Sequence, residues 1–509
     1  MPITITVNNI WSKIGGIQDI TLIDNIDKIT SFFVEGYQYT KAFKEGYYDR
    51  KTGGWSHWDG KKHLLTQKVV FPTGLLGRIT EFLEERKVPF EINDCRPAVE
   101  CGEALEIKNI VPREYQKEAV EIAIKKGTGI IKIGTGGGKT AVAAMLVAHY
   151  NIPTMLYVVS KSLLYQFHKE FNKMLDIPIG IIGDGHCVIR KINICSVWTA
   201  ITAFDLKTQI SLDDEDWDPE IVEVSIEQKK AIKSAIERTN LVIVDEAHFL
   251  GTVSLQSIYK ASKNCKYFIG LSATDWRDDK ADLLLESVCG PRIYNMSSSK
   301  LISMGFLVPP KIVLYETPPL EGASSKNYAA TYGSYIVKNS IRNGMIVDAT
   351  RMLINKGRKV LILVRYLNHG HELALMLSDI PLYFVNGAVD GETREEVKRS
   401  FESGDLKCLI ASSVFDIGVD IPKLDALVLA GGGKSTVRTL QRIGRVIRIS
   451  EGKIDAFVVD FIDNARYLDK HSATRITVYE TEPAFKIKFP KDFDPTSIKR
   501  IKKINDRLS

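Results

Sequence analysis

Four short clusters of residue types carry chemical potential in this chain. The first is Gly134-Thr135-Gly136-Gly137-Gly138-Lys139-Thr140, set between the apolar run GIIKI and the segment AVAAMLVAHY. Glycines let backbone N–H groups approach phosphate oxygens, and a helix starting there adds positive potential. Lys139 would reach the outer phosphates, and the Thr140 hydroxyl is suited to ligate Mg²⁺. Thr135, Gly136, Gly137, Gly138, Lys139 and Thr140 are therefore candidate ATP-binding residues, although Ile133 stands where the strict loop has its first glycine. The second cluster is Asp245-Glu246-Ala247-His248 after LVIV. A strand ending in two carboxylates puts them at the carboxyl edge of a sheet, Asp245 to hold Mg²⁺ and Glu246 to orient the attacking water. The third is Ser272-Ala273-Thr274 after YFIGL; Ser272 and Thr274, with His248, are candidates for coupling the nucleotide to the rest of the molecule. The fourth runs Gln441-Arg442-Ile443-Gly444-Arg445-Val446-Ile447-Arg448. On a helix, Gln441, Arg445 and Arg448 would share one face, and arginines so presented stabilise charge on a transferring phosphoryl group. A fifth stretch, Gly431-Gly432-Gly433-Lys434-Ser435, looks like a phosphate loop and reads as a turn, because no suitable acidic strand end follows it.

The elements needed to position these clusters are visible as apolar runs. Strand-like segments occur at 129–133, 154–159, 192–197, 241–244 and 267–271, each followed by polar or glycine-rich residues and a helical stretch. A second series occupies 311–315, 359–364, 381–385, 407–411, 426–430 and 455–459. Strand and helix in alternation predict parallel sheets covered by helices. A charged, partly acidic insertion at 205–238 interrupts the first series. Residues 1–105 differ in style. Nine aromatics between Phe32 and Trp58 interleave with Lys41, Lys44, Arg50, Lys51, Lys61 and Lys62, and helical spacing follows from Leu75 to Arg86.

Composition narrows the class. The chain has 509 residues, 44% hydrophobic and 26% charged, which suits two to four globular domains. No run approaches the ~20 apolar residues of a membrane span, and the start MPITITVNNIWSK lacks a secretory pattern, so a cytoplasmic protein is expected. Seven cysteines are scattered without zinc-type spacing and read as reduced thiols. The net charge of +6 is compatible with a polyanionic partner.

Taken in order, the phosphate loop, Asp-Glu strand end, Ser-Ala-Thr and arginine helix resemble motifs I, II, III and VI of superfamily-2 helicases. The resemblance spans about 110–465 and implies two tandem RecA-like, doubly wound parallel-sheet lobes of α/β class. It implies further roles. Arg113 and Gln116 in REYQ would bind ATP, Gln116 reading the adenine edge. Ser160 and Lys161, Thr199, Arg365 and Ser412 would contact the nucleic-acid backbone. Gly418 and Asp420 in SSVFDIGVD would lie at the ATP cleft. The segment Phe33–Trp58 with Phe71-Pro72-Thr73-Gly74-Leu75-Leu76-Gly77 is similar to the leading domain of UvsW-type phage recombination helicases. That likeness implies branched DNA as partner: Holliday junctions, forks and displacement loops. The acidic insertion departs from that family. The expected domains are a small α+β module over 1–105, lobe 1 over 106–308, lobe 2 over 309–470 and a basic extension over 471–509. Trp55 and Trp58, in a loop rich in Gly and Lys, are the aromatics expected to stack on unpaired bases, the others forming the module's core. The competing functions are an RNA helicase, a duplex translocase or clamp that does not unwind, and the motor piece of a nuclease system, for which no nuclease-like cluster is evident.

Overall fold

The computed structural model describes residues 2–34, 36–49, 53–206, 223–247, 253–273, 282–320, 327–387, 389–412, 424–433, 436–491 and 493–494. Two compact units emerge: Met1–Lys132 with Gly138–Asn295, and Ile133–Gly137 with Met296–Ser509.

In the first unit, eight strands form a sheet in the order His186–Val188, Ile179–Gly183, Ile192–Ser196, Thr154–Val158, Leu241–Val244, Tyr267–Ser272, Thr128–Ile133, Arg292–Met296. The central strands pair in parallel. Their side chains are buried on both faces, so they read as continuous apolar runs rather than alternating ones. All five strands expected for lobe 1 are present. The second unit carries a seven-stranded parallel sheet in the order Leu382–Val385, Cys408–Ala411, Val360–Leu363, Ala426–Leu429, Ala456–Asp463, Pro310–Thr317, Lys486–Lys488. Both are RecA-like parallel α/β sheets.

The amino-terminal module has its own sheet, ordered Val70–Pro72, Trp11–Gly15, Ile3–Val7, Phe90–Asp94. Ile3, Ile5 and Val7 alternate inward and meet Ile79, Phe82 and Leu83 of helix Leu76–Glu85, within a residue of the helix expected from spacing. This core is completed by Leu283 and Leu284 of helix Asp282–Cys289. Residue 105 therefore divides two styles of sequence but not two packing units. Gly74 approaches that helix so closely that a Cβ would lie 2.2 Å from the Glu286 carbonyl oxygen. Arg78 Nε donates to Glu286 Oε1 at 2.9 Å, and Asn9 Nδ2 to the Lys263 carbonyl at 2.9 Å.

The expected boundary at 470 falls inside helix Leu468–Glu480, whose Ser472, Ile476 and Tyr479 are buried in the second unit. Beyond it, Lys486–Lys488 adds an edge strand to that unit's sheet. The insertion keeps the helix Ile226–Glu237, started by a Ser225/Gln228 capping box; residues 207–222 and the basic residues from Lys499 onward lie outside the described ones.

Candidate nucleotide and nucleic-acid sites

Lys139 opens the helix Lys139–Tyr150, and Gly138 immediately before it adopts φ 81°. Gly136, at φ 84°, shares that left-handed region, which favours glycine strongly. Thr140 is the helix's second residue. Gly138 also has no room for a side chain, since a Cβ would stand 2.4 Å from Gln116 Nε2. Gln116 itself accepts from the Arg113 N–H at 2.9 Å and reaches the Gly138 carbonyl at 3.5 Å. The residue expected to read adenine thus also ties the helix start Arg113–Gln116 to the phosphate loop.

Asp245 and Glu246 follow strand Leu241–Val244. Strand Tyr267–Ser272, ending in Ser272, separates them from the phosphate-loop strand in the sheet. The two motifs nevertheless meet: Lys139 Nζ donates to Glu246 Oε1 at 2.9 Å. Glu246 stands at φ 51°, a conformation that costs a non-glycine residue about 1–3 kcal/mol and concentrates at working sites. Asp245 is buried, and its Oδ1 has no hydrogen-bond partner. Burial pushes its carboxyl well above the ordinary carboxylate range, against the pull of the Lys139 ammonium. A cation is the group such an oxygen lacks. The glycine loop, the lysine and the buried carboxylate fit a Mg²⁺–nucleoside triphosphate.

In the second unit, helix Thr436–Val446 carries Gln441 and Arg445. Arg448 does not continue their helical face. The helix ends before it, and Arg448 forms an isolated antiparallel bridge with Leu307, next to a hydrogen bond from Val308 N to the Ile447 carbonyl. Extended pairing, rather than the i, i+3 spacing, sets its direction. This same unit holds Ile133–Gly137, and there a Cβ on Gly136 would lie 3.3 Å from Arg448 Cγ and one on Gly444 2.2 Å from Thr135 Cβ. The second glycine-rich stretch is a turn at its described residues, with Gly432 at φ 61° and Gly433 at φ 110°. Lys434 and Ser435 lie outside the described residues.

That turn is held from inside the lobe by groups the sequence did not single out. Arg342 Nη1 donates to the Ala430 carbonyl at 2.7 Å, Tyr332 Oη to Gly431 at 2.5 Å, and Arg475 Nη1 to Gly433 at 2.8 Å. Both arginines are fully buried and neutralised, Arg342 by Asp463 at 2.7 Å and Arg475 by Asp460 at 2.8 Å. Removing one partner of such a pair typically costs about 3–5 kcal/mol. No local pattern announces two arginines whose acidic partners lie on another element.

The expected backbone contacts divide. Ser160 caps helix Lys161–Met174, its Oγ accepting from Leu163 N at 3.3 Å, and Lys161 pairs with Asp184 at 2.8 Å. Arg365 lies among the rings of Tyr328, Tyr332 and Tyr366, donating to the Tyr328 hydroxyl at 3.1 Å. Thr199 and Ser412 are each only 4% exposed, so as they stand neither presents its hydroxyl to a polymer; Gly183 lies so near the first that a Cβ there would stand 3.5 Å from the Thr199 hydroxyl. Trp58 is half-buried with its indole N–H donated to the Lys61 carbonyl at 2.7 Å, which makes it a strut of the module. Trp55, by contrast, is 74% exposed. His248, Thr274, Gly418 and Asp420 lie outside the described residues.

Comparison with known families fits this geometry. Residues 109–276 match the family model "Type III restriction enzyme, res subunit", and residues 344–450 match "Helicase conserved C-terminal domain". The chain is 27% identical over 494 residues to the ATP-dependent DNA helicase uvsW of Enterobacteria phage T4, covering 89% of this chain and 92% of that protein. The chain is a UvsW-like superfamily-2 helicase. As such the enzyme hydrolyses ATP. It is also 27% identical, over 66% of its length and 78% of the relative's, to the DNA 3'-5' translocase XPB2 of Sulfurisphaera tokodaii. Among solved structures, the helicase Lhr of Mycobacterium smegmatis, bound to ssDNA and AMP-PNP, aligns over 75% of this chain and 49% of its own with a TM-score of 0.50 and 17% identity, a likeness of fold. Among the described residues no helix of the helicase is long and apolar enough to cross a membrane.

Proposed function

We propose that this ATP-hydrolysing DNA helicase unwinds or branch-migrates branched DNA, namely Holliday junctions, forks and displacement loops, in recombination and repair. The observation that carries the reading is the reach of the likeness to uvsW. A match over 89% of the chain is too long for the two motor lobes and the extension alone, so it takes in part of the amino-terminal module. The match to XPB2 spans only 66%.

In this reading ATP is held by Arg113, Gln116 and the loop Thr135–Thr140, with Gly418 and Asp420 beside it. Thr140 and Asp245 hold Mg²⁺, which when bound neutralises charge on the outer phosphates. Lys139 exchanges its bond to Glu246 for a phosphate oxygen. This frees the Glu246 carboxylate to orient water; its left-handed backbone fixes where that carboxylate points. Arg445 and Arg448, with Gln441, stabilise charge developing on the γ-phosphoryl group. The closeness of Gly136 to Arg448 within the second unit supports that role. His248, Ser272 and Thr274 couple nucleotide state to the grip on DNA. Ser160, Lys161 and Arg365 grip the phosphate backbone, and Thr199 and Ser412 join them only once uncovered. Contacts of this kind ignore base identity, so sequence preference is weak.

The test is ATPase stimulation and strand separation compared across single-stranded DNA, linear duplex, fork, four-way junction and RNA duplex. Forks and four-way junctions should be processed faster than linear duplex, and RNA poorly. Equal action on RNA duplexes, or ATPase without strand separation on any DNA, would refute the reading; cleavage of DNA with Mg²⁺ would favour a nuclease system.

A further inference from the structure

The aromatic-rich segment of the module sorts into two sets. Phe33, Tyr37 and Phe43 pack on each other, with ring centroids 5.0 and 4.8 Å apart, and Gly60 leaves room for Tyr37 by having no Cβ. Tyr39, Tyr48 and Trp55 are left outside this cluster, exposed by 74%, 57% and 74%. Two of these three are set by a β-hairpin. Strands Tyr47–Asp49 and Gly54–Ser56 pair antiparallel with Tyr48 directly opposite Trp55. Opposed residues project to the same face, with Cβ atoms about 5 Å apart. One face of a two-stranded ribbon thus presents two large rings to water, an expensive exposure for side chains of this size. Every base has a π-face suited to such rings, whatever its identity.

The hairpin does not stand on a loose tether. Its base is pinned by Trp58, whose backbone N–H donates to Ala42 and whose indole donates to Lys61. The module beneath shares its core with Leu283 and Leu284 of the motor lobe, is joined to it by Arg78–Glu286, and belongs to the same compact unit.

We propose that the Tyr48–Trp55 hairpin is a fixed strand-separating element, on which the unpaired base at a DNA branch point stacks. The inference rests on the branched-DNA reading and supplies what that reading lacks, a rigid surface against which duplex is pulled. Stacking of a base on an aromatic is worth enough that its loss weakens binding about tenfold per base.

The test uses the full chain with Tyr48→Ala/Trp55→Ala and Trp55→Phe. For each, base pairs separated per ATP hydrolysed are measured on a fork, and a 2-aminopurine at the branch point reports stacking. The expected result is a fall of about tenfold in base pairs per ATP for the double variant, partial recovery for Trp55→Phe, and loss of the 2-aminopurine quenching seen with the parent chain. If the parent chain separates forks and the double variant does so at the same ratio with the same quenching, the hairpin proposal is overturned while the branched-DNA reading stands. If the parent chain separates no branched substrate, the underlying reading fails instead.

Discussion

Glu246 shows how much the function of this helicase rests on single side chains. Its backbone is held in a strained left-handed conformation, and its carboxylate is bound to Lys139, the residue expected to meet the phosphates. The pair keeps both charges compensated until a nucleotide separates them. Replacing either should therefore abolish turnover by different routes: Lys139→Ala by weakening the hold on the phosphates, Glu246→Gln by leaving the water without a partner of the right charge. Both variants should still bind DNA. Steady-state ATPase assays and DNA binding by anisotropy check this, and ATPase surviving in both while DNA binding is lost would reverse the assignment. At this scale the sequence was most informative, because phosphate loops and acidic strand ends need fixed residue types at fixed spacing. It was least informative for Thr199, Ser412 and Trp58, whose identities suit nucleic acid but whose positions are covered or committed by neighbours not visible in a linear pattern.

Among the elements, every central strand of both sheets was legible, because a strand buried on both faces must be an apolar run. Of the edge strands, Leu382–Val385 was legible, but Arg292–Met296 and Lys486–Lys488, short and with exposed polar side chains, were not, and neither was Ile179–Gly183, which lies one strand in from an edge and is broken by glycines. The buried polar groups that fix one element against another were equally unreadable. His369, on helix Leu367–Met376, is one of them. Its Nε2 lies 2.9 Å from Asn343 Oδ1 on helix Ser340–Asn355, and it is fully buried. Burial, and after it the Arg342 guanidinium, depresses its pKa from 6.5 to about 3. The unfolded chain therefore binds a proton between those values that the folded chain refuses, so the contribution of His369 is retained above pH 6.5 and lost as pH falls toward 3. At pH 5 that loss is about 2 kcal/mol. Urea unfolding at pH 7.5 and pH 5 should show a drop for the parent chain that exceeds the drop for His369→Gln by roughly this amount. Equal drops would mean that His369 is not the acid-sensitive group.

At the scale of the whole molecule, two RecA-like lobes and an amino-terminal module locked to the first of them make a helicase of the UvsW-like kind. The tandem α/β organisation was readable because two series of strand runs repeat. The docking of the module was not, since it depends on Leu283, Leu284 and Glu286, nearly two hundred residues beyond the module's last strand. In the proposed function, Arg445 of helix Thr436–Val446 acts in ATP hydrolysis. ATP turnover of Arg445→Ala beside its ATP affinity tests that most directly. Turnover should fall by about a thousandfold or more, the range for loss of an arginine finger, with ATP affinity changed only a few-fold. Turnover within a few-fold of the parent chain would contradict the account, because the arginine helix would then have no part in hydrolysis.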